Sequence, residues 1–319
     1  MRIVLAALIL GLVASTAGRA EPVTIRVGHF PNITHAQALV AHGLSRQGKG
    51  WFEPRLGPHV KIEWFVYNAG PSAIEAIFAD SADLVYVGPS PAINGYAKAR
   101  GEVIRIIAGA AEGGAALVVQ PDATLSDAAD FRGKRIATPQ LGNTQDVAAR
   151  AWLTAAGLRI TLTGGDAQVV PTANPDQLSL FKSRQLDAVW TVEPWVSRLE
   201  NEAGGKVLIE ETDAVTTVVA ASAKFIGQQR DLARRFVAAH RELTDWIRSH
   251  PDEAQAMVRT ELAAETRTET TPDLVAHAWR RIVLTAEISR DALERFVGKA
   301  QRAGFLRAAP DLARLVEKP

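Results

Sequence analysis

Phe78-Ala-Asp-Ser-Ala-Asp83-Leu-Val-Tyr-Val87 runs into Gly88-Pro89, and some hundred residues later Phe181-Lys-Ser-Arg-Gln-Leu-Asp187-Ala-Val-Trp190 runs on to Glu193-Pro194. Each stretch reads as the end of a helix, a tight turn, a strand, and a loop that opens another helix. One such unit is commonplace in α/β proteins. Two in matching places predict two lobes of similar build.

Working outward, apolar period-2 runs predict strands at Val23 to Gly28, Val60 to Val66, Asp83 to Val87, Ile104 to Ala110, Ala115 to Val119, Arg135 to Thr138, Ala188 to Thr191 and Val215 to Ala221. Helical patterns fill the gaps, which predicts mixed, mostly parallel sheets flanked by helices. From about Gln229 the periodicity is helical almost throughout, with Pro251 and Pro272 as punctuation and arginine-rich faces that read as solvated surface. The strand at Val215 to Ala221 would return the chain to the first lobe.

At the amino terminus Arg2 precedes an apolar run from Ile3 to Val13, and Gly18 and Ala20 stand at the −3 and −1 positions of a cleavage before Glu21. That pattern predicts a signal peptide over residues 1–20, too short in its apolar part to span a bilayer, and therefore a periplasmic mature protein. The sequence contains no cysteine, which excludes a lipid-modified cysteine after the leader, disulfides and thiolate metal sites. Losing Arg2 and Arg19 takes the 36 basic and 35 acidic residues to 34 against 35. A chain so close to neutral has no global basic field for nucleic acid or anionic lipid.

Chemistry is expected where strands end and helices begin, because exposed N–H groups and the positive end of the helix dipole favour an anion there. Four junctions stand out: Gly28 to His35, where Thr34 or Asn32 can cap a helix; Gly88-Pro89-Ser90-Pro91, where Ser90 is a natural N-cap; Leu141 to Asp146, where Asn143 or Thr144 can cap; and Glu193-Pro194-Trp195. A fifth, Gly70-Pro71-Ser72 with Glu75, reads as structural capping. A two-lobe fold would bring several of these polar junctions to one cleft, for a small ligand of anionic character.

At these same residues the chain resembles a known family. Ile25-Arg-Val-Gly28, Asn68-Ala-Gly-Pro71 with Glu75-Ala-Ile, Asp83-Leu-Val-Tyr-Val-Gly88, Gly133-Lys-Arg-Ile-Ala137, Gly142-Asn-Thr144, Asp187-Ala-Val-Trp190 and Glu193-Pro-Trp195, in this order, are similar to the aliphatic sulfonate, nitrate and taurine group of ABC-importer binding proteins. The resemblance implies a type II periplasmic-binding fold, an α/β protein of two lobes with a ligand cleft between them. Its first lobe would take residues 21–110 and 214–319 and its second residues 111–213, with hinge crossings near Ala110 and Asp213. It further implies a monomer without a cofactor that delivers a small anion or zwitterion to the transmembrane subunits of an ABC permease.

Carried over residue by residue, the ligand would be held by Asn32, Thr34 and His35, by Ser90, by Asn143 and Thr144, by Glu193 and Trp195, and by Thr217 on the returning strand. Hydroxyls, amides and backbone N–H groups can donate to an oxyanion without a full positive charge. Trp195 would cover an apolar tail or amine. Because Asp146 and Glu193 would repel a simple anion unless protonated or paired, a taurine-like zwitterion with its ammonium on one of them is a reasonable ligand. Two other classes compete. A metal-binding protein would use His29, His35 and His42, although His35 and His42 stand about 10 Å apart along one helix. An enzyme of the related pyrimidine-synthesis branch is disfavoured by the missing cysteines, and no common catalytic motif is present.

Overall fold

The computed structural model describes residues 22–319, so the leader predicted over 1–20 and its cleavage site lie outside the described residues. Eleven strands form two sheets: β1 (Val23–His29), β2 (Val60–Val66), β3 (Leu84–Val87), β4 (Ile104–Gly113), β5 (Ala115–Val119), β6 (Arg135–Thr138), β7 (Gln168–Pro171), β8 (Ala188–Val192), β9 (Lys206–Glu211), β10 (Val215–Ser222) and β11 (Ile282–Leu284). The first sheet has the order β11-β4-β10-β3-β1-β2, the second β7-β6-β8-β5-β9. Only Gly114 separates β4 of the first sheet from β5 of the second, and residues 212–214 carry the chain back from β9 to β10. Among the described residues no helix is long and apolar enough to cross a membrane.

Parallel pairing is confined to β2-β1-β3 and β7-β6-β8; the remaining ladders are antiparallel, so the sheets are mixed rather than mostly parallel. Both faces of each sheet carry helices, and alternate residues of the central strands divide between separate cores. Leu84 and Tyr86 of β3 pack with Ile25, Leu39 and Phe236, whereas Val85 and Val87 pack on the other face with Ile74, Ile93 and Leu293. In the second lobe Ala188 and Trp190 face Phe131 and Leu153, and Val189 faces Phe181 and Val196. Burial on both sides is why these strands read as unbroken apolar runs.

The three strands that sequence patterning does not reveal, β7, β9 and β11, are all sheet edges. An edge strand has one partner and a wetter face, which leaves little apolar signature: β7 ends in Pro171, β9 has no fully buried residue, and β11 has three residues.

Candidate functional site

The predicted junctions converge between the two sheets. The short turn Ile33–His35 leads directly into the helix Ala36–Arg46, and no side chain caps either element. The helix Gly70–Phe78 is preceded by Ala69, again without a side-chain cap; Ser72 donates to the Ala69 carbonyl instead. The helix Pro89–Lys98 begins two residues earlier than expected, so Gly88 rather than Ser90 is its N-cap residue. From the second lobe come the helix Thr144–Ala155, capped by the Asn143 side chain on the Asp146 N–H at 2.8 Å, and the uncapped helix Asn174–Lys182. Five helix N-termini, four of them uncapped by side chains, therefore surround one point, each contributing the positive end of its dipole.

The lobes lie close together and leave a small cavity of about 30 Å³ between them. Of the residues predicted to hold a ligand, Asn32, Thr34, His35, Asn143 and Thr144 line it. So do residues that sequence reasoning did not assign to a ligand, notably Asn68, Gln145, Asn174 and Thr216. The Gly70-Pro71 junction, read as purely structural, borders the cavity too. Asn174-Pro175 opens a helix after the unrecognised β7, and that Asn-Pro start was the signal available for it.

Hydrogen-bond partners fix which way the amides point. The Trp195 indole N–H can only donate, so the Asn32 atom 3.2 Å away is its oxygen, and the Asn32 amide nitrogen is left for the cavity. Asn143 likewise spends its oxygen on the Asp146 N–H, and Asn174 spends its own on the Thr191 hydroxyl at 3.4 Å. Burial holds the His35 pKa well below the ordinary imidazole range. The ring is neutral, and because its Nδ1 accepts the Phe30 N–H at 3.4 Å, the proton sits on Nε2. The cavity is thus rich in donors whose paired acceptors are occupied, and among the described residues no Lys, Arg, Asp or Glu lines it.

Four predicted ligand residues are placed elsewhere. Ser90 donates to the Gly142 carbonyl at 3.0 Å, joining the lobes beside the cavity. Thr217 points to the opposite side of β10, beside Gly109 and Ser289, with its hydroxyl unpartnered; its neighbour Thr216 faces the cavity, as strand alternation requires. Glu193 is fully buried but turned toward the Ser197 N–H and hydroxyl at 3.1 and 2.9 Å and the Arg281 guanidinium at 3.0 Å. Burial raises its pKa, opposed by those same partners. Trp195 is held by Asn32 and has the Arg198 guanidinium 4.9 Å from its ring centre, so it closes the wall behind the site.

Asp146, the other acid considered for an ammonium, accepts from Thr138, the Gly142 N–H and Arg150 at 2.9–3.1 Å. Both carboxylates are paired, and neither offers a free oxygen to a ligand. Of the three histidines considered for a metal, His29 and His42 meet with Glu265 in the interior of the first lobe, whereas His35 lines the cleft.

Known proteins match this architecture. A protein of Brucella abortus (strain 2308) named as a binding protein is 26% identical over 195 residues, covering 59% of this chain and 58% of that protein. One of Escherichia coli (strain K12) named for binding aliphatic sulfonates is 25% identical over 214 residues, 67% and 63% of the two chains. The match therefore spans less than two thirds of the length of these curated relatives. The alkanesulfonate-binding protein of Xanthomonas axonopodis pv. citri, solved with MOPS bound, superposes with a TM-score of 0.74 at 20% identity, covering 94% of this chain and 100% of that one. The two-lobed periplasmic-binding fold is thereby established. Residues 18–263, well over half of the sequence, match the model of the NMT1-like family, and the chain belongs to that family.

Proposed function

We propose that this chain is the exported solute-binding component of an ABC importer, that it holds a small organic oxyanion such as an aliphatic sulfonate between its lobes, and that it catalyses no reaction. The observation that carries this reading is the donor-rich, carboxylate-free cavity at the meeting point of five helix N-termini. An oxyanion accepts hydrogen bonds and gains from helix dipoles in such a place. The relatives named as binding proteins support the same class.

The described arrangement is closed. The cavity is small and lies between the lobes, so entry is proposed to require the lobes to part, and the crossings at Gly114 and residues 212–214 are the proposed hinges. A ligand touching residues of both lobes then shifts the population toward closure, and the closed form is what the permease receives. With Glu193 and Asp146 committed to arginines, an ammonium finds no anionic partner here, which favours a plain anion over the taurine-like zwitterion that the sequence equally allowed.

Calorimetry and thermal unfolding of the mature protein with short alkanesulfonates, nitrate, sulfate and taurine test the proposal. A bound ligand at a hundredfold its Kd adds about 2.7 kcal/mol of stability. An alkanesulfonate that stabilises the protein more than taurine of equal length supports the site as described. Tighter binding of taurine would overturn the donor-only reading, and no response to any of these anions would overturn the assignment of the cleft.

A further inference from the structure

Away from the cleft, the first lobe buries a cluster that anion binding does not use. His29 ends β1, His42 lies on the helix Ala36–Arg46, and Glu261 and Glu265 are one turn apart on the helix Pro251–Thr266. The His29 Nε2, His42 Nδ1 and Glu265 Oε1 atoms lie 3.0–3.1 Å from one another, with side chains 0, 10 and 1% exposed. Glu261 Oε1 is 3.1 Å from the same His42 nitrogen and is held from behind by Arg46 at 2.7 Å.

Three potential ligand atoms meet here. His29 Nδ1 is 3.3 Å from the Phe30 carbonyl, which can only accept, so Nδ1 carries a proton and Nε2 is the ring atom turned to the cluster. His42 Nδ1 can carry at most one proton, yet His29 Nε2, Glu265 Oε1 and Glu261 Oε1 all stand 3.0–3.1 Å from it. Glu265 Oε2 is in addition buried with no hydrogen-bond partner. A single cation would take these converging atoms as ligands together. A point about 2.0–2.1 Å from each of the three atoms lies roughly 1 Å out of their plane, at ordinary distances for nitrogen and carboxylate ligands.

We propose that His29, His42 and Glu265, with Glu261 as fourth ligand, form a buried structural site for a first-row divalent cation, and that zinc, which takes two imidazoles and two carboxylates in tetrahedral geometry, fits it best. The ion ties β1 and the helix Ala36–Arg46 to the helix Pro251–Thr266, binding the front and back of the sequence into one lobe. Trp64, stacked on His42 with ring centres 5.2 Å apart, shields it. His35, on the cleft side, takes no part.

The test uses untagged mature protein stripped with a chelator, then titrated with zinc chloride alone and, separately, with cobalt(II). The site predicts one ion per chain, a raised Tm, and the strong visible bands of tetrahedral cobalt. Glu265→Gln and His42→Gln should each weaken zinc by at least the tenfold to hundredfold typical of an altered metal shell, while His250→Ala, at an exposed histidine, changes nothing. Should a variant fail to fold, the wild-type stoichiometry and cobalt spectrum decide. Zinc uptake that is unaltered in both folded variants, or wild-type protein without stoichiometric binding or tetrahedral bands, would mean an adventitious ion only and overturn the proposal.

Discussion

The two lobes repeat one wiring. Strand order β2-β1-β3-β10-β4 in the first sheet corresponds to β7-β6-β8-β5-β9 in the second, with three parallel strands followed by two antiparallel partners in each. Even the joints agree. Asp80 and Arg184 both take positive φ, at 55° and 58°, in the turn before the third strand. Three residues later Asp83 and Asp187 each bond a backbone N–H of the first strand at 2.8 Å, Arg26 in one lobe and Arg135 in the other. What differs is the material attached to this skeleton. The first lobe gains β11, the C-terminal helices and, as the sequence shows, all seven histidines of the chain, whereas residues 111–213 contain none. A shared topology thus fixes where loops meet, and the attached side chains decide how each lobe responds to its surroundings.

Acid should expose this asymmetry most strongly. His240 is fully buried, donating from Nε2 to the Gly109 carbonyl at 2.8 Å and accepting the Tyr86 hydroxyl on Nδ1 at 2.9 Å, with Arg241 as its charged neighbour. Burial holds its pKa at about 4 against a usual 6.5. Between those values the unfolded chain binds a proton that the folded chain does not. The stability His240 confers is therefore complete above pH 6.5 and is lost as pH falls toward 4, by about 3 kcal/mol in all. Urea unfolding of the wild type and of His240→Gln, at pH 7 and pH 4, isolates this contribution, because the other titrating groups are common to both. A wild-type loss no larger than that of the variant would remove the asymmetry.

The matched aspartates give a smaller, graded contrast. Asp83 also receives the Arg26 Nε and NH2 groups at 3.0 and 2.7 Å in a half-sheltered setting. Asp187 has beside its backbone bond only Lys134 at 3.3 Å, and both of those side chains are more than a third exposed. We expect Asp83→Ala to cost about 2 kcal/mol, since charge-assisted bonds are lost, and Asp187→Ala about 1 kcal/mol, since water replaces much of the exposed pair. Equilibrium denaturation of the two variants checks the ratio; equal losses would mean that the backbone bond alone carries both positions.

The repeated skeleton was legible because its signals are local. Helix-ending turns, buried strands without polar interruption, and Gly-Pro or Gly-Asn-Thr punctuation are each written within a few neighbouring residues. The phase of β10 was not. Val215–Ser222 is buried on both faces, so no polar alternation tells Thr216 from Thr217. Glu193 resembled a ligand group because its partner, Arg281, is 88 positions away and reaches it only in the folded chain. Asn68 and Asn174 were overlooked for the opposite reason: an asparagine before a Pro-containing helix start looks like an ordinary turn until the lobes bring two such starts together.

Asn32 and Asn143 set the finest test of how unequal the lobes are. Both turn an amide oxygen into the protein and line the cavity from opposite sides. The oxygen of Asn143 caps its own helix within the second lobe, a bond present whether the lobes are open or closed. The oxygen of Asn32 meets Trp195 across the cleft, a bond that parting of the lobes would break. Asn143→Ala should therefore lower the unfolding free energy of the ligand-free protein by about 1 kcal/mol, as N-cap losses do, and weaken the ligand by about 1 kcal/mol as well. Asn32→Ala should leave ligand-free stability within about 0.5 kcal/mol, like most changes that break no intralobe contact, yet weaken the ligand at least as much, because it removes a donor and a closure bond together. Denaturation without ligand, paired with calorimetry, separates the two quantities. If Asn32→Ala destabilises the empty protein as much as Asn143→Ala does, the ligand-free molecule already spends most of its time closed, and closure is not what the ligand supplies.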